Sequence, residues 1–189
     1  NLGKEGRQTT LRMELEIVKE YIALQQMRYD FIIEMNIEDG SYLDQPTVRM
    51  LFQPLVENAI RYGLGDDEKI SIQVFEDVAR HLAVVTISDS GKGLNQEEID
   101  EINQPFDYDW GYWKNENRGI GLRYVKAMLE SFYDGQTSLF VNSKKGFGTR
   151  ITILLPVREP EEKKEKDKDK EVTLEENKVG QTDESIDCR

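Results

Sequence analysis

Three pairs of closely spaced glycines follow one another along this chain: Asp89-Ser90-Gly91-Lys92-Gly93, Gly119-Ile120-Gly121 and Gly146-Phe147-Gly148-Thr149. Singly, each has an ordinary explanation in a turn, a helix cap or a bulge. As a set they mean more. Gly119 and Gly121 stand where a loop enters a helix, and the exposed N–H groups of such a helix start can cradle phosphate. The pattern is neither a dinucleotide-binding fingerprint nor a P-loop, because no Gly-x-Gly-x-x-Gly or Gly-Lys-Ser/Thr lies between a strand and a helix.

The whole chain limits what these glycines can serve. Its 189 residues allow one domain with a core, plus a tail. With 25 Lys and Arg against 37 Asp and Glu, the net charge is −12, which disfavours non-specific nucleic-acid binding for want of clustered cations. No apolar run approaches the length of a membrane helix and no signal-peptide pattern opens the chain, so a soluble protein is expected. The single cysteine, Cys188, excludes an intrachain disulfide and a thiolate cluster and fits a reducing, cytoplasmic setting. Beginning at Asn1 rather than Met, the sequence reads as a fragment of something longer.

Several elements must position the glycines. Leu11, Leu15, Val18 and Ile22 predict an amphipathic helix over about 10–29 that needs a partner surface. Phe31, Ile33, Met35 and Ile37 alternate as a strand ending at Asp39-Gly40. Apolar spacing from Val48 through Ile60 predicts a second helix from Pro46 to Gly63, bent or limited in its first turns by Pro54. Residues 70–75 and 82–88 read as an antiparallel hairpin, Asn95 with Glu98 as the capping box of a short helix to Asn103, 119–132 as a helix, and 137–142 with 148–155 as a last hairpin. This mixture, without regular βαβ alternation, predicts an α+β fold: one mixed sheet covered by helices on one face. Residues 157–189, with twelve acidic and eight basic side chains and no aromatics, read as a charged, disordered tail.

The run Gln53-Pro54-Leu55-Val56-Glu57-Asn58-Ala59-Ile60-Arg61-Tyr62-Gly63 makes a resemblance specific. Asn58 in this context, followed by the three glycine pairs, resembles the N, G1, G2 and G3 boxes of the GHKL ATP-binding superfamily, which includes sensor histidine kinases, DNA gyrase and MutL. The Leu11 to Leu15 opening, Tyr21-Ile22-Ala23-Leu24-Gln25 with Arg28, and the Gln53 to Ala59 run are similar to sensor histidine kinases of the LytS/YesM type. The resemblance covers about residues 10–156. It implies a Bergerat-type two-layer α/β sandwich with a mostly antiparallel sheet, and this organisation: 1–30 the end of a dimerisation or linker helix, 31–156 the GHKL catalytic domain, 157–189 the tail.

The implied cofactors are ATP and Mg²⁺. The neutral carbonyl oxygen of Asn58 suits Mg²⁺, the remaining positions going to phosphate and water, and the adjacent Glu57 is a candidate polar or basic helper in catalysis. Asp89 would accept a hydrogen bond from the adenine amino group. Gly91 and Gly93 would let the backbone approach the base, Arg118, Gly119 and Gly121 would lie at the phosphates, and Thr149 would complete the adenine pocket. Arg61 and Tyr62 follow Asn58 by three and four positions on its helix; many LytS/YesM kinases have His where this chain has Tyr62. Residues 104–118, with Trp110, Tyr112, Trp113 and Lys114, correspond to the lid over ATP.

The resemblance further implies transfer of the ATP γ-phosphoryl group to a histidine on an upstream dimerisation helix, with that helix, a response regulator and a second copy in the full-length protein as partners. Nucleic acid is not an expected partner, and a membrane would be reached only through a preceding segment. The only histidine, His81, reads as an exposed turn residue between two strands. Three other readings compete. In gyrase and MutL hydrolases a water-activating Glu precedes the magnesium Asn by four residues, but here Pro54 stands there and cannot act as a base. An anti-sigma-factor-like serine kinase is disfavoured by the Leu11 to Arg28 helix. A nucleotide-free interaction module is separable by titration with Mg·ATP.

Overall fold

The computed structural model describes residues 8–64, 69–103 and 120–158. The predicted lid at 104–118 and nearly all of the predicted tail lie outside them. In chain order the elements are β1 (Gln8–Thr10), α1 (Leu11–Gln26), β2 (Ile32–Ile37), a 3-10 turn (Ser41–Asp44), β3 (Pro46–Val48), α2 (Gln53–Tyr62), β4 (Lys69–Asp77), β5 (Leu82–Asp89), α3 (Gln96–Asn103), α4 (Ile120–Phe132), β6 (Ser138–Ser143) and β7 (Thr149–Pro156).

Five strands form one sheet in the order β2-β4-β5-β7-β6, with β2 and β4 parallel and the other neighbours antiparallel. Alternation decides which side is covered. Ile70, Ile72 and Val74, Ala83, Val85 and Ile87, and Ile151, Ile153 and Leu155 are buried. They share one core with Leu55, Val56, Ala59 and Ile60 of α2 and with Leu122, Val125 and Leu129 of α4. Helices therefore cover one face of a mixed, mostly antiparallel sheet, the α+β arrangement that the sequence predicts.

The helix α1 finds its partner surface within this same core. Leu11, Leu15, Val18 and Ile22 are buried, and removing four such side chains from water stabilises by roughly 1.5–3 kcal/mol each. Thr10 caps the helix by accepting from the Met13 N–H at 3.2 Å. Arg12 adds a fork to Asp44, at 2.8 and 3.2 Å, and a contact to Asp39 at 3.1 Å. These groups are exposed and screened, so burial of the aliphatic stripe is the larger effect. Glu14 is also buried, and its Oε2 accepts from the Leu51 N–H at 2.9 Å. Burial pushes the Glu14 carboxyl up from its ordinary value, against the backbone N–H groups of Leu51 and Met50 and the nearby Arg49.

The predicted helix from Pro46 to Gly63 is shorter, beginning at Gln53. Pro46–Val48 is extended and pairs antiparallel with Gln8–Thr10, and Met50 has a φ of 59°, outside helical backbone. The Leu51 N–H is given to Glu14 rather than to a helical carbonyl. Val48, Leu51 and Phe52 are buried all the same, so their spacing mimics a helix while serving a loop that dives into the core. Pro54 occupies the first turn of α2, where its missing N–H costs nothing.

Candidate functional site

One end of the sheet carries the site. Asp89 is the last residue of β5, and the register sets it opposite Thr149, the first residue of β7, which in turn faces Ser143, the last of β6. All three have the parity of the buried face: Asp89 with Ile87, Thr149 with Ile151, Ser143 with Val141. Where the helices stop covering this face, a cleft opens with about 890 Å³ of empty space, counting the part open to solvent. Asn58 and Tyr62 of α2 line one wall, Asp89, Thr149 and Ile151 the sheet floor, and Leu122 and Arg123 of α4 the opposite side.

The Asp89 carboxylate is held in place by backbone. Its Oδ1 accepts from Gly91 N at 3.0 Å and from Thr149 N at 3.1 Å, which commits that oxygen to the protein. Burial pushes the Asp89 carboxyl up from its ordinary value, and the two N–H groups oppose that rise. Close backbone approaches make the arrangement possible. A Cβ on Gly91 would lie 2.4 Å from the Gly63 Cα, and one on Gly148, whose φ is 84°, would lie 2.0 Å from the Asp89 carbonyl oxygen. Gly93 has a φ of 65°, and a Cβ there would meet the Lys144 carbonyl oxygen at 2.2 Å. The loop after β5 and the turn between β6 and β7 are thus pressed together, joined also by Gly146 N donating to Lys92 O at 2.7 Å.

Gly121 sits in the first turn of α4, where a Cβ would lie 3.1 Å from Asn58 Nδ2 and 3.6 Å from Pro54 Cβ. Gly121 of the second glycine pair and the asparagine of α2, 63 positions apart in sequence, therefore pack together beside the cleft. A family model described as "Histidine kinase-, DNA gyrase B-, and HSP90-like ATPase" matches residues 43–159, which hold all of these residues. The chain belongs to this ATPase family. Its matched segment is an ATP-binding domain.

Relatives of this ATPase domain include the sensor protein kinase HptS of Staphylococcus aureus, 30% identical over 158 residues, in several strains. That alignment takes in 83% of this chain but 30% of the relative, so the chain spans about a third of the length of the curated relatives it matches. Among solved structures, the Acinetobacter baumannii histidine kinase AdeS aligns over 80% of this chain and 67% of that one, at a TM-score of 0.57 and 17% identity. The catalytic domain of the histidine kinase ThkA aligns over 79% of this chain and 93% of that one, at 0.57 and 16%. At such identities the likeness is one of fold, and it is the fold of histidine kinase catalytic domains.

Of the residues singled out in the sequence, Asn58, Tyr62, Asp89, Gly93 and Thr149 line the cleft, and Gly91 and Gly121 pack behind Asp89 and Asn58. Glu57 and Arg61 pair with each other, Arg61 NH2 to Glu57 Oε1 at 2.9 Å, on the exposed side of α2 and apart from the cleft lining. The Arg61 guanidinium also lies 5.9 Å from the centre of the Tyr62 ring. Arg118 and Gly119 fall outside the described residues. His81 is exposed in the turn before β5, with a φ of 53°. It stands at the opposite end of β5 from Asp89, about 25 Å away at the rise of a strand.

Sequence reasoning missed four contributors. Lys92 and Arg123 add two cations to the lining. Lys92 lay unread within the first glycine pair, and Arg123 follows Gly121 by two positions. Gly63 ends α2 and shields Asp89. Ser143 ties three segments together, accepting from Leu94 N at 2.8 Å and lying 2.9 Å from both Gly148 O and Thr149 Oγ1. Its signal was parity with Leu139 and Val141. The predicted capping box is present: Glu98 N donates to Asn95 Oδ1 at 2.9 Å and Asn95 N to Glu98 Oε2 at 2.8 Å, and Glu98 also borders the cleft.

Proposed function

We propose that this chain is the catalytic domain of a two-component sensor histidine kinase of the LytS/YesM type, binding Mg·ATP in the cleft and presenting the γ-phosphoryl group to a histidine on a separate helix. The observation that carries the proposal is the half-buried Asp89, with one oxygen fixed by Gly91 N and Thr149 N and the other left to accept. An acceptor held this way selects an exocyclic amino group such as that of adenine. From that end the cleft reaches Asn58, whose amide packs against Gly121 in the first turn of α4, a suitable place for phosphates beside a helix start. Lys92 and Arg123 supply positive charge along the lining.

Among the described residues no group of three or more His, Cys, Asp or Glu side chains is placed to hold a metal ion. That sparse donor set fits Mg²⁺, which keeps several waters and takes phosphate oxygens, with the Asn58 amide oxygen as the protein's ligand. When bound, the ion neutralises charge on the phosphates. The protein's own residues position: Asp89 and Thr149 fix the base, Asn58 and the α4 start fix the phosphates, and the acceptor must then lie in line with the terminal phosphorus. Glu57, turned to Arg61, helps by holding that side of α2 rather than by touching the nucleotide.

The acceptor would be a histidine on a dimerisation helix preceding α1, and the partners a response regulator and a second copy of the kinase. No helix among the described residues is long and apolar enough to cross a membrane; in a kinase of the proposed type the anchor is a separate segment and this domain faces the cytoplasm. Pro54, at the start of α2 beside Gly121, stands where a water-activating Glu would sit in gyrase-like hydrolases, which speaks against efficient hydrolysis. Incubation with radiolabelled Mg·ATP tests the reading. The chain alone is expected neither to label itself nor to hydrolyse ATP appreciably, and to label a histidine when the dimerisation helix is supplied. Rapid hydrolysis would move it toward the gyrase and MutL class, and acid-labile labelling lost in His81→Ala would make His81 the acceptor.

A further inference from the structure

Ser143 does not line the cleft, yet its hydroxyl decides what Thr149 can do there. The Ser143 oxygen has three neighbours: the Leu94 N–H at 2.8 Å, the Gly148 carbonyl at 2.9 Å and the Thr149 hydroxyl at 2.9 Å. A hydroxyl has one proton to give. The Leu94 N–H only donates and the Gly148 carbonyl only accepts, so the Ser143 proton goes to Gly148 O. If it went to Thr149 instead, two oxygen lone pairs would face each other at 2.9 Å across the Ser143 to Gly148 contact. The one arrangement that satisfies all three contacts has Thr149 donating its proton to Ser143. Thr149 then has only lone pairs left for the cleft, and Asp89, opposite it in the register, likewise only accepts.

We infer that Ser143 is a positioning residue for base selectivity: by taking the Thr149 proton it turns Thr149 into an obligate acceptor, so that this end of the cleft admits a 6-amino purine and repels a 6-oxo purine. The inference rests on the reading of Asp89 as the adenine-binding group. It also explains why a serine outside the lining is tied to both loops that frame the base: the same oxygen fixes Leu94, after the first glycine pair, and Gly148, within the third.

The test uses the full 189-residue chain, with ATP and inosine triphosphate titrated by calorimetry in the presence of Mg²⁺. The two ligands differ at the purine 6-position and its ring nitrogen. In Ser143→Ala the Thr149 hydroxyl is released to rotate and donate, so the preference for ATP over inosine triphosphate should fall by about tenfold, one hydrogen bond's worth. Ser143→Thr, which keeps a hydroxyl, should restore it. Equal weakening of both nucleotides in Ser143→Ala would mean that Ser143 merely supports the loops, and would overturn the inference. Should Ser143→Ala not fold, Thr149→Val decides: the hydroxyl whose lone pairs repel the 6-oxo group is gone, so the preference must fall, and an unchanged preference overturns the inference. Wild-type chain that binds no adenine nucleotide would instead refute the reading of Asp89, a failure separate from an unchanged ratio.

Discussion

Gly63 and Asp89 touch backbone to side chain: a Cβ on Gly63 would lie 2.5 Å from the Asp89 Cγ and 2.7 Å from the Ala59 carbonyl oxygen. The φ of Gly63 is −101°, open to any residue, so glycine is needed there for space alone. The end of α2 is the back wall that holds the Asp89 carboxylate toward Gly91 and Thr149.

Gly63→Ala should therefore act on the site before the fold. Overpacking of this kind costs about 1–3 kcal/mol, and relief by moving Asp89 would break its hydrogen bonds to Gly91 and Thr149. Thermal melting with and without ATP checks this. Nucleotide-induced stabilisation should shrink further than the melting temperature of the free protein; a variant with full ATP stabilisation would show that the wall is dispensable.

Asp89→Asn keeps the shape of the side chain and its acceptance from Gly91 and Thr149, but turns an amide donor toward the base. ATP binding should weaken by roughly 1–3 kcal/mol, the cost of mispairing a buried polar group. Calorimetry reads this directly, and equal affinity would take Asp89 out of the base pocket.

The same substitution should have the opposite effect on the empty protein. Burial raises the Asp89 carboxyl above its unfolded value of 3.8, so its favourable contribution is present in full below that value and is lost as pH rises through the folded pKa. At neutral pH the wild-type protein carries a half-buried charge that Asn does not. Melting temperatures of the two proteins from pH 7 downward should show Asp89→Asn ahead at neutral pH and the gap narrowing in the acid range. A gap independent of pH would mean that Asp89 titrates alike folded and unfolded.

Asn58→Ala should abolish most of the Mg²⁺-dependent part of ATP affinity, since the ion would lose its protein ligand. Titrations of ATP with and without Mg²⁺ separate that increment from the base contacts. An increment that survives places the metal elsewhere.

Much of this was legible in the sequence, for identifiable reasons. Alternation in β4, β5 and β7, interrupted by Val84 and Leu154, announces strands buried chiefly on one face, and carried one step further, past Ile87 and before Ile151, it brings Asp89 and Thr149 to the same face. The capping box at Asn95 and Glu98 is a local motif that no distant contact overrides. The start of α2 was misread because Val48, Leu51 and Phe52 keep helical spacing while their backbone is claimed by partners far along the chain, β1 and Glu14. Ser143, Gly63 and Arg123 were passed over for a related reason. Their roles depend on which segments meet, and single-residue chemistry does not announce that. The helical spacing of Arg61 from Asn58 likewise could not tell that Glu57 would hold it on the outer side.

The buried Glu14 has a mechanical consequence. The peptide it holds, at Met50 and Leu51, leads into the helix that carries Asn58, so α1 and the Asn58 wall of the cleft are linked as a single lever. Turning or sliding α1 far enough to withdraw Glu14 would strand a buried N–H, at a cost of about 1–3 kcal/mol, unless the start of α2 followed. Torque applied to the front of this domain is thus delivered to the cleft through one carboxylate.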